Sequence, residues 1–155
     1  MKKFELTTDF KMYCGKKLFR IRALIDFGDV KAGDLGGYIE KEKNLSHNGN
    51  AWVYGNARVS GYARVSGDAR VYDNARVSGN ADILQITGLG TEHRPTTVFR
   101  AEDGIKVACG CFLGDLGQFL ERVKNTRTGK VQKEYLKFAE LVEIYFGKEE
   151  ERNVN

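Results

Sequence analysis

Residues 53–83 read VYGNARVSGYARVSGDARVYDNARVSGNADI. A β-branched residue recurs every six positions, and an alanine stands two places before each one. The repeated residues are Val53, Val59, Val65, Val71, Val77 and Ile83, preceded by Ala51, Ala57, Ala63, Ala69, Ala75 and Ala81. Neither an α-helix nor a plain strand has this period. In one unit Ala57 and Val59 point to one side, Arg58 and Ser60 to the other, and Gly61-Tyr62 turns the chain. The period predicts a parallel β-helix in which three units, or 18 residues, form one coil.

The repeated pattern Val-x-x-x-Ala-x resembles the hexapeptide repeat of left-handed β-helix proteins. That resemblance implies a left-handed parallel β-helix. The apolar positions extend back through Leu45 and Ile39, which are also six apart, but the step from Leu45 to Val53 is eight. We therefore expect the coil to slip near residues 46–50 and the helix to be short, with about 2.5–3 coils.

Other parts of the chain are similar to small proteins of phages and prophages, a group with no assigned activity. The similarity lies in Gly33-Asp34-Leu35-Gly36-Gly37-Tyr38-Ile39-Glu40, in Asn44-Leu45-Ser46 together with the repeat, and in Cys109-Gly110-Cys111-Phe112. It extends over most of the chain. It implies a small phage-type hexapeptide-repeat protein, and the resemblance to hexapeptide acyltransferases is limited to the repeat.

The chain divides into three predicted parts, and the fold class is mainly β. Residues 1–33 alternate like strands around a turn at 14–17 and predict an N-terminal β-hairpin cap. Residues 34–84 form the β-helix, and residues 85–155 form a small ββαα module. In that module a hairpin turns at 102–104, Asp115 caps a first helix, and a second helix follows Thr128-Gly129.

Composition favours a protein of the cytoplasm. The mean hydropathy is −0.45, and no apolar run approaches the roughly 20 residues of a membrane span. Three cysteines, unevenly placed, argue against a disulfide framework. The net charge of +4 is mild and no block of Lys and Arg occurs, so nucleic acid is an improbable partner.

Stacking residue n on n−18 predicts three outward faces that differ. One carries Trp52 and Tyr54 beneath Arg70 and Tyr72. Tyr and Trp are enriched where protein surfaces are buried, so Trp52, Tyr54 and Tyr72 form a predicted oligomer interface. The resemblance implies a homotrimer. Two alternatives for Trp52 are packing beneath the N-terminal hairpin and contact with a ligand.

Arginine occupies four regularly spaced outward positions, Arg58, Arg64, Arg70 and Arg76. The ladder is either a solvated face that keeps the strands soluble or a set of anion-binding groups. Arg58 stacked with Arg76, with no acid between them, is the best predicted anion site. Arg64 can pair with Asp82 on the third face.

A catalytic set is not evident. Acyltransferases with this repeat use a histidine base, for which His47 and His93 are the candidates, yet neither has an acid partner at a diagnostic spacing. A lone Cys109-Gly110-Cys111 lacks the four ligands of structural zinc, and the two cysteines are expected to be small buried groups on one side of a strand. We expect no metal and no cofactor.

These patterns predict a non-enzymatic oligomeric binding protein. If the phage resemblance holds, it inhibits a host defence system by binding a host protein or by sequestering a nucleotide-like anion. One alternative is an acyltransferase that uses acyl-coenzyme A, and another is a purely structural scaffold.

Overall fold

The computed structural model describes residues 2–147 and contains eleven strands and two α-helices in that range. The strands are β1 (Phe4–Tyr13), β2 (Lys16–Ala23), β3 (Leu35–Ile39), β4 (Trp52–Val53), β5 (Arg58–Val59), β6 (Arg70–Val71), β7 (Arg76–Val77), β8 (Ile83–Leu89), β9 (Arg94–Ala101), β10 (Gly104–Cys109) and β11 (Phe112–Asp115), and the helices are α1 (Leu116–Thr126) and α2 (Gly129–Phe146). The fold is mainly β, as predicted.

The repeat winds into a β-solenoid. Strand β5 pairs in parallel with β7 at Arg58↔Arg76, and β4 pairs in parallel with β6 at Trp52↔Arg70. Both pairs are 18 residues apart, which confirms the predicted length of the coil. One coil earlier, Ile39 pairs with Val59 and the offset is 59 − 39 = 20. The two extra residues are absorbed where the eight-residue step after Leu45 predicted a slip.

The alanines and β-branched residues of the repeat form the solenoid core. From Ala51 to Val77 each of these repeated residues is at most 2% exposed. The regular winding ends there, because Ala81 is exposed and Ile83, which still packs against this core, starts β8. The prediction that the repeat continues to residue 84 is wrong. Leu84 instead pairs with Val98 in an antiparallel sheet, where β9 supplies backbone hydrogen-bond partners along most of the seven-residue strand β8.

The N-terminal hairpin joins the solenoid through β3. Strands β1 and β2 pair antiparallel, and β2 pairs with β3 at Phe19↔Ile39, so the mixed, open sheet has the order β1-β2-β3-β5-β7. Phe4 is fully buried, and its ring centroid lies 6.4 Å from that of Trp52. The hairpin therefore seals one end of the solenoid core.

Residues 83–146 form a four-stranded antiparallel sheet and two helices. The hairpin with its turn at 102–104 and both helices are present, but β8 and β11 make the module larger than the predicted ββαα. Strand β9 is buried on both sides, with Phe99 in the solenoid core and Val98 in a second core beneath the helices. A bridge between Ala75 and Ala101 ties this sheet to the last coil. Residues 148–155 of the predicted module lie outside the described residues.

Between residues 2 and 147, neither helix has the length and apolar character that crossing a membrane requires.

Candidate functional site

Four neighbouring strands place arginine and tyrosine in one row on the outer side of the solenoid sheet. Arg20 of β2 pairs with Tyr38 of β3, Tyr38 pairs with Arg58 of β5, and Arg58 pairs with Arg76 of β7. Since neighbouring strands lie about 4.8 Å apart, these side chains are adjacent. We name Arg20, Tyr38, Arg58 and Arg76 the arginine–tyrosine face.

The tip of the N-terminal hairpin curls over this face. The ring of Tyr13 lies 4.2 Å from the guanidinium carbon of Arg58 and 5.4 Å from that of Arg76. The Nζ atom of Lys11 lies 4.8 Å from the centre of the Tyr38 ring. Cation–π contacts of this kind contribute about 0.5–2 kcal/mol each and become stronger when water is excluded. The hairpin thus covers part of the predicted arginine ladder.

Carboxylates neutralise two of the three arginines. Arg76 Nη2 lies 2.8 Å from Glu102 Oε1, and Arg20 Nε donates to Asp9 at 3.3 Å. The prediction that no acid accompanies Arg76 is therefore wrong, because the turn between β9 and β10 brings in Glu102 from 26 residues away in sequence. Within residues 2–147, no carboxylate forms an ion pair with Arg58.

Two guanidinium nitrogens of the face are withdrawn from solvent with no hydrogen-bond acceptor among the described residues: Arg58 Nη1 and Arg76 Nε. An unsatisfied buried donor costs about 1–3 kcal/mol, and more when it is charged. Beside Arg58 is a small crevice of about 50 Å³, lined also by Lys11, Tyr13 and Tyr38. This volume suits a compact oxygen-bearing group, since a water molecule occupies about 30 Å³.

The predicted oligomer-interface residues divide into one buried and two surface side chains. Trp52 is 1% exposed and packs edge-on against Phe27, 5.2 Å away. Its predicted interface role is wrong for this conformation, because the N-terminal segment already covers the indole, as the packing alternative expected. Tyr54 and Tyr72 are half-buried and stack at 4.3 Å. Their interface role stays a prediction.

Arg70 belongs to the tyrosine pair rather than to the arginine–tyrosine face. Burial acts against its charge, but a hydrogen bond to Tyr72 and the nearby Asp29 raise the pKa of Arg70. The hydroxyl of Tyr54 donates to Asp29 Oδ1 at 2.8 Å, and burial together with this bond raises the pKa of Tyr54.

The predicted pair between Arg64 and Asp82 does not form. Asp82 accepts from Arg100 Nε at 2.9 Å and from the amide and hydroxyl of Ser78. Although burial acts in the opposite direction, these bonds lower the pKa of Asp82. The Arg64 side chain instead lines a cleft with Lys41, Lys43 and Tyr62. The structure therefore brings Arg58 and Arg76 together and places Arg64 and Arg70 outside the arginine–tyrosine face.

His47 does have an acid partner, contrary to the prediction. Its Nε2 lies 2.7 Å from Glu42 Oε1, and its Nδ1 accepts from the amide of Lys3 at 3.0 Å. The ring stacks on Phe4 at 4.2 Å. Because both nitrogens are engaged, His47 is placed to hold the N-terminal strand rather than to accept a proton from a substrate. The hydrogen bond from His47 holds the pKa of the Glu42 carboxyl below its usual value.

His93 is arranged differently, in the turn between β8 and β9. Its backbone has a positive φ of 54°, and its Nδ1 donates to the carbonyl of Gly88 at 2.9 Å if the ring is neutral with the proton on Nδ1. That tautomer leaves the lone pair of Nε2 directed away from the hydrogen bond, which is the arrangement of a general base. In the sequence, the sign of this contact is the glycine five residues before His93, and glycine is too common in the chain to predict the contact.

The two cysteines of the Cys-x-Cys element do not share one side of a strand. Gly110 has a φ of 59° and lies in the turn between β10 and β11, so Cys111 is exposed while Cys109 is half-buried. The expectation that both are buried is wrong for Cys111, and Cys109 is buried only in part. In the part of the chain covered by residues 2–147, no group of three or more His, Cys, Asp and Glu side chains has the geometry to hold a metal ion.

Comparison with known proteins shows which family of repeats this segment resembles. A family model described as the YdcK beta solenoid repeat matches residues 51–67 and 69–81. The Escherichia coli (strain K12) protein described as "Uncharacterized acetyltransferase YdcK" is 49% identical over 37 residues, which is 24% of this chain. The matched stretch spans only 11% of the length of that relative. These matches confirm that the repeat segment of this chain is a β-solenoid of the hexapeptide type.

Proposed function

We propose that this chain is a binding protein whose arginine–tyrosine face takes an anionic group, a phosphate or a carboxylate, at Arg58. The observation that carries the proposal is the Nη1 nitrogen of Arg58, which is buried without an acceptor beside a crevice that also contains Lys11. A bound oxyanion would accept from that nitrogen and lie between two cations. Charge-assisted bonds of this kind are about twice as strong as neutral ones.

The tyrosine rings would hold the Arg58 guanidinium in the orientation that an anion needs. Tyr13 covers the guanidinium of Arg58 and restricts its orientation, so less side-chain entropy is lost when an anion binds. Arg76 is less available, because Glu102 already occupies one side of it. We therefore assign the leading role to Arg58 and a supporting role to Arg76, and Arg64 and Arg70 lie outside this site.

The proposal is tested by titrating inorganic phosphate and citrate into the protein and following backbone amide shifts. Shifts should concentrate at Lys11, Tyr13, Tyr38 and Arg58, and Arg58→Gln should weaken binding at least tenfold. Arg22→Gln is the matched control, because Arg22 lies on the same strand as Arg20 but is paired with Glu5. Equal binding by the two variants would contradict the proposal.

The handedness, the number of coils and the assembly of the solenoid are part of the same proposal. A left-handed solenoid of about 2.5–3 coils, assembled as a homotrimer through Tyr54 and Tyr72, would present three such anion sites per particle. In a phage-encoded protein these sites could capture a nucleotide-like signal or occlude a host protein of the defence system. Sedimentation of the purified protein should give three times the mass of one chain, whereas a monomer mass would refute this assembly.

Acyl transfer is the second candidate, and the tautomer of His93 favours it. With Nδ1–H fixed by Gly88, Nε2 could take a proton from an acceptor substrate as it attacks an acyl thioester. The relative described as an acetyltransferase matches 37 residues of this chain, and the family model that matches the repeat ends at residue 81, before His93. Free thiol release from acetyl-coenzyme A should then occur with the protein and be lost in His93→Gln but not in His47→Gln. Equal release by both variants would exclude His93 as the base.

A further inference from the structure

We propose that a second binding site, for a nucleoside monophosphate, lies in a cleft of the solenoid between residues 41–44 and 61–64. The cleft has a volume of about 560 Å³, within the range of small-molecule sites. Its lining includes one aromatic ring, Tyr62, and the cations Lys41, Lys43 and Arg64. We name these residues the Tyr62 cleft. Its assignment does not depend on the anion site at Arg58.

The Tyr62 ring is held out in solvent by a rigid corner of the solenoid. Tyr62 is 89% exposed, the highest value among the large apolar side chains of residues 2–147. The preceding Gly61 has a φ of 63°, and a Cβ there would lie 2.4 Å from the carbonyl oxygen of Ser78. The Gly61 amide donates to Glu40 at 2.8 Å. Because close packing against Ser78 and the bond to Glu40 fix the backbone of this corner, it presents the Tyr62 ring to solvent, where a planar base can stack on it.

The side chain at the base of the cleft, Asn44, already has hydrogen-bond partners within the protein. Asn44 is fully buried, and its amide nitrogen donates to the carbonyls of Gly61 and Ala63 at 3.2 and 2.9 Å. Its side-chain oxygen accepts from the amide of Lys41. The two walls of the cleft are thus joined through one side chain, and a ligand would enter a preformed space.

The cations of this cleft favour an anionic ligand. No ion pair within residues 2–147 involves Lys41, Lys43 or Arg64. The one carboxylate in the lining, Glu42, is already bound by His47 and by Lys2 at 3.4 Å. Three cations without carboxylate partners beside an exposed ring fit a ligand that combines a flat base with a phosphate.

A single mononucleotide fits better than a nucleic acid strand. Proteins that follow single strands use a continuous basic groove with successive aromatic platforms. This cleft has one exposed ring and is lined by two short segments, and Lys41 already lies 4.9 Å from the ring centre. One base would stack on the free side of Tyr62, and its phosphate would reach Lys43 and Arg64.

The test uses adenosine 5′-monophosphate as the probe, with adenosine and inorganic phosphate as partial ligands. Binding followed by calorimetry and amide shifts should affect Lys41–Asn44 and Gly61–Arg64, and the nucleotide should bind at least tenfold more tightly than either part. Tyr62→Ala and the double variant Lys43→Gln with Arg64→Gln should each weaken binding about tenfold or more. Tyr62→Phe should retain it, since the ring and not the hydroxyl stacks.

Two controls separate this site from general charge. Lys130→Gln on α2 and Arg22→Gln on β2 each remove an exposed cation outside the Tyr62 cleft and should leave nucleotide binding unchanged. Amide shifts at 41–44 and 61–64, rather than at Tyr13 and Tyr38, separate this site from the site at Arg58. The inference is overturned if Tyr62→Ala binds the nucleotide as well as the unchanged protein does, or if millimolar nucleotide shifts no amide of the cleft. Much tighter binding of a single-stranded oligonucleotide that requires Tyr62 would also overturn it in favour of a nucleic acid site.

Discussion

Lys3 is a buried cation, although lysine is seldom buried without an acidic partner. It is 1% exposed, its Nζ donates to the carbonyl of Ala51 at 2.7 Å, and the ring of Phe27 lies 4.6 Å away. Loss of hydration on burial lowers its pKa from 10.5 to about 8. Below about pH 8 the folded protein keeps Lys3 protonated although it is buried, and this buried charge lowers the free energy of unfolding.

This gives a pH prediction with a definite sign. Between pH 8 and 10.5 the unfolded chain holds the proton on Lys3 more tightly than the folded protein does, so the free energy of unfolding should rise with pH there. The gain relative to Lys3→Met should be about 1–2 kcal/mol, allowing for partial solvation. Urea unfolding of both proteins at pH 8 and pH 10 measures it. A stability difference that does not change with pH would show that Lys3 titrates normally.

His47 and His93 should differ in stability tests as they differ in contacts. His47→Asn breaks the bonds to Lys3 and Glu42 and the stacking on Phe4, and it should lower the free energy of unfolding by about 2 kcal/mol. His93→Asn should change it by less than about 0.5 kcal/mol, because His93 is exposed and asparagine tolerates its positive φ. Denaturant unfolding compares the two variants. Equal losses would mean that His47 does not secure the hairpin.

At the scale of the element, the position of strand β3 explains why residues 36 and 37 are both glycine. A Cβ on Gly37 would lie 2.6 Å from the carbonyl oxygen of Ala57 and 2.7 Å from Val53 Cγ1, and Gly36 is equally crowded. Strand β3 must lie this close to the next coil because it links the hairpin to the solenoid in one sheet. Glycine is required here for close approach and not for backbone conformation.

Gly37→Ala should therefore lower the free energy of unfolding by about 1–3 kcal/mol, the usual result of overpacking. Gly79→Ala is the matched control, since its backbone is extended and a Cβ there meets no atom within 4 Å. Its effect should stay below about 0.5 kcal/mol. Thermal unfolding of the two variants checks this. Similar melting temperatures would show that β3 can move away from the coil.

At the scale of the whole molecule, both open ends of the solenoid are closed by other parts of the chain. The hairpin covers one end with Phe4, and the C-terminal sheet covers the other with Phe99. An uncovered end would expose unpaired strands, which invite association with other chains. Strand β9 also joins the two cores, because Val98 faces the helices.

We expect the chain to unfold in one cooperative transition, with Phe99 coupling its two cores. Phe99→Ala should cost about 3–5 kcal/mol and speed hydrogen exchange of the solenoid amides, such as that of Ser60, which donates to Val77. Val98→Ala should cost about 2 kcal/mol and act first on the amides of α1 and α2. Two separate transitions in calorimetry, with the solenoid unaffected by Phe99→Ala, would contradict this coupling.

The sequence by itself determined the solenoid and its coil length, because a period of six with alanine and valine inside has few other solutions. It also determined the slip after Leu45, the hairpin turning at 102–104 and the helix capped by Asp115, since each depends on local spacing and capping. It identified Arg58 and Arg76 as neighbours, because the 18-residue coil fixes which side chains stack.

Only the tertiary structure decided what covers and neutralises those side chains. Tyr13 over Arg58 and Glu102 beside Arg76 come from the curl of one hairpin and the docking of a sheet, and neither contact leaves a periodic mark in the sequence. The burial of Trp52 and the pairing of His47 with Glu42 likewise follow from how the N-terminal strand lies on the solenoid. A repeat fixes the direction in which a side chain points, whereas its partner depends on the packing of distant segments.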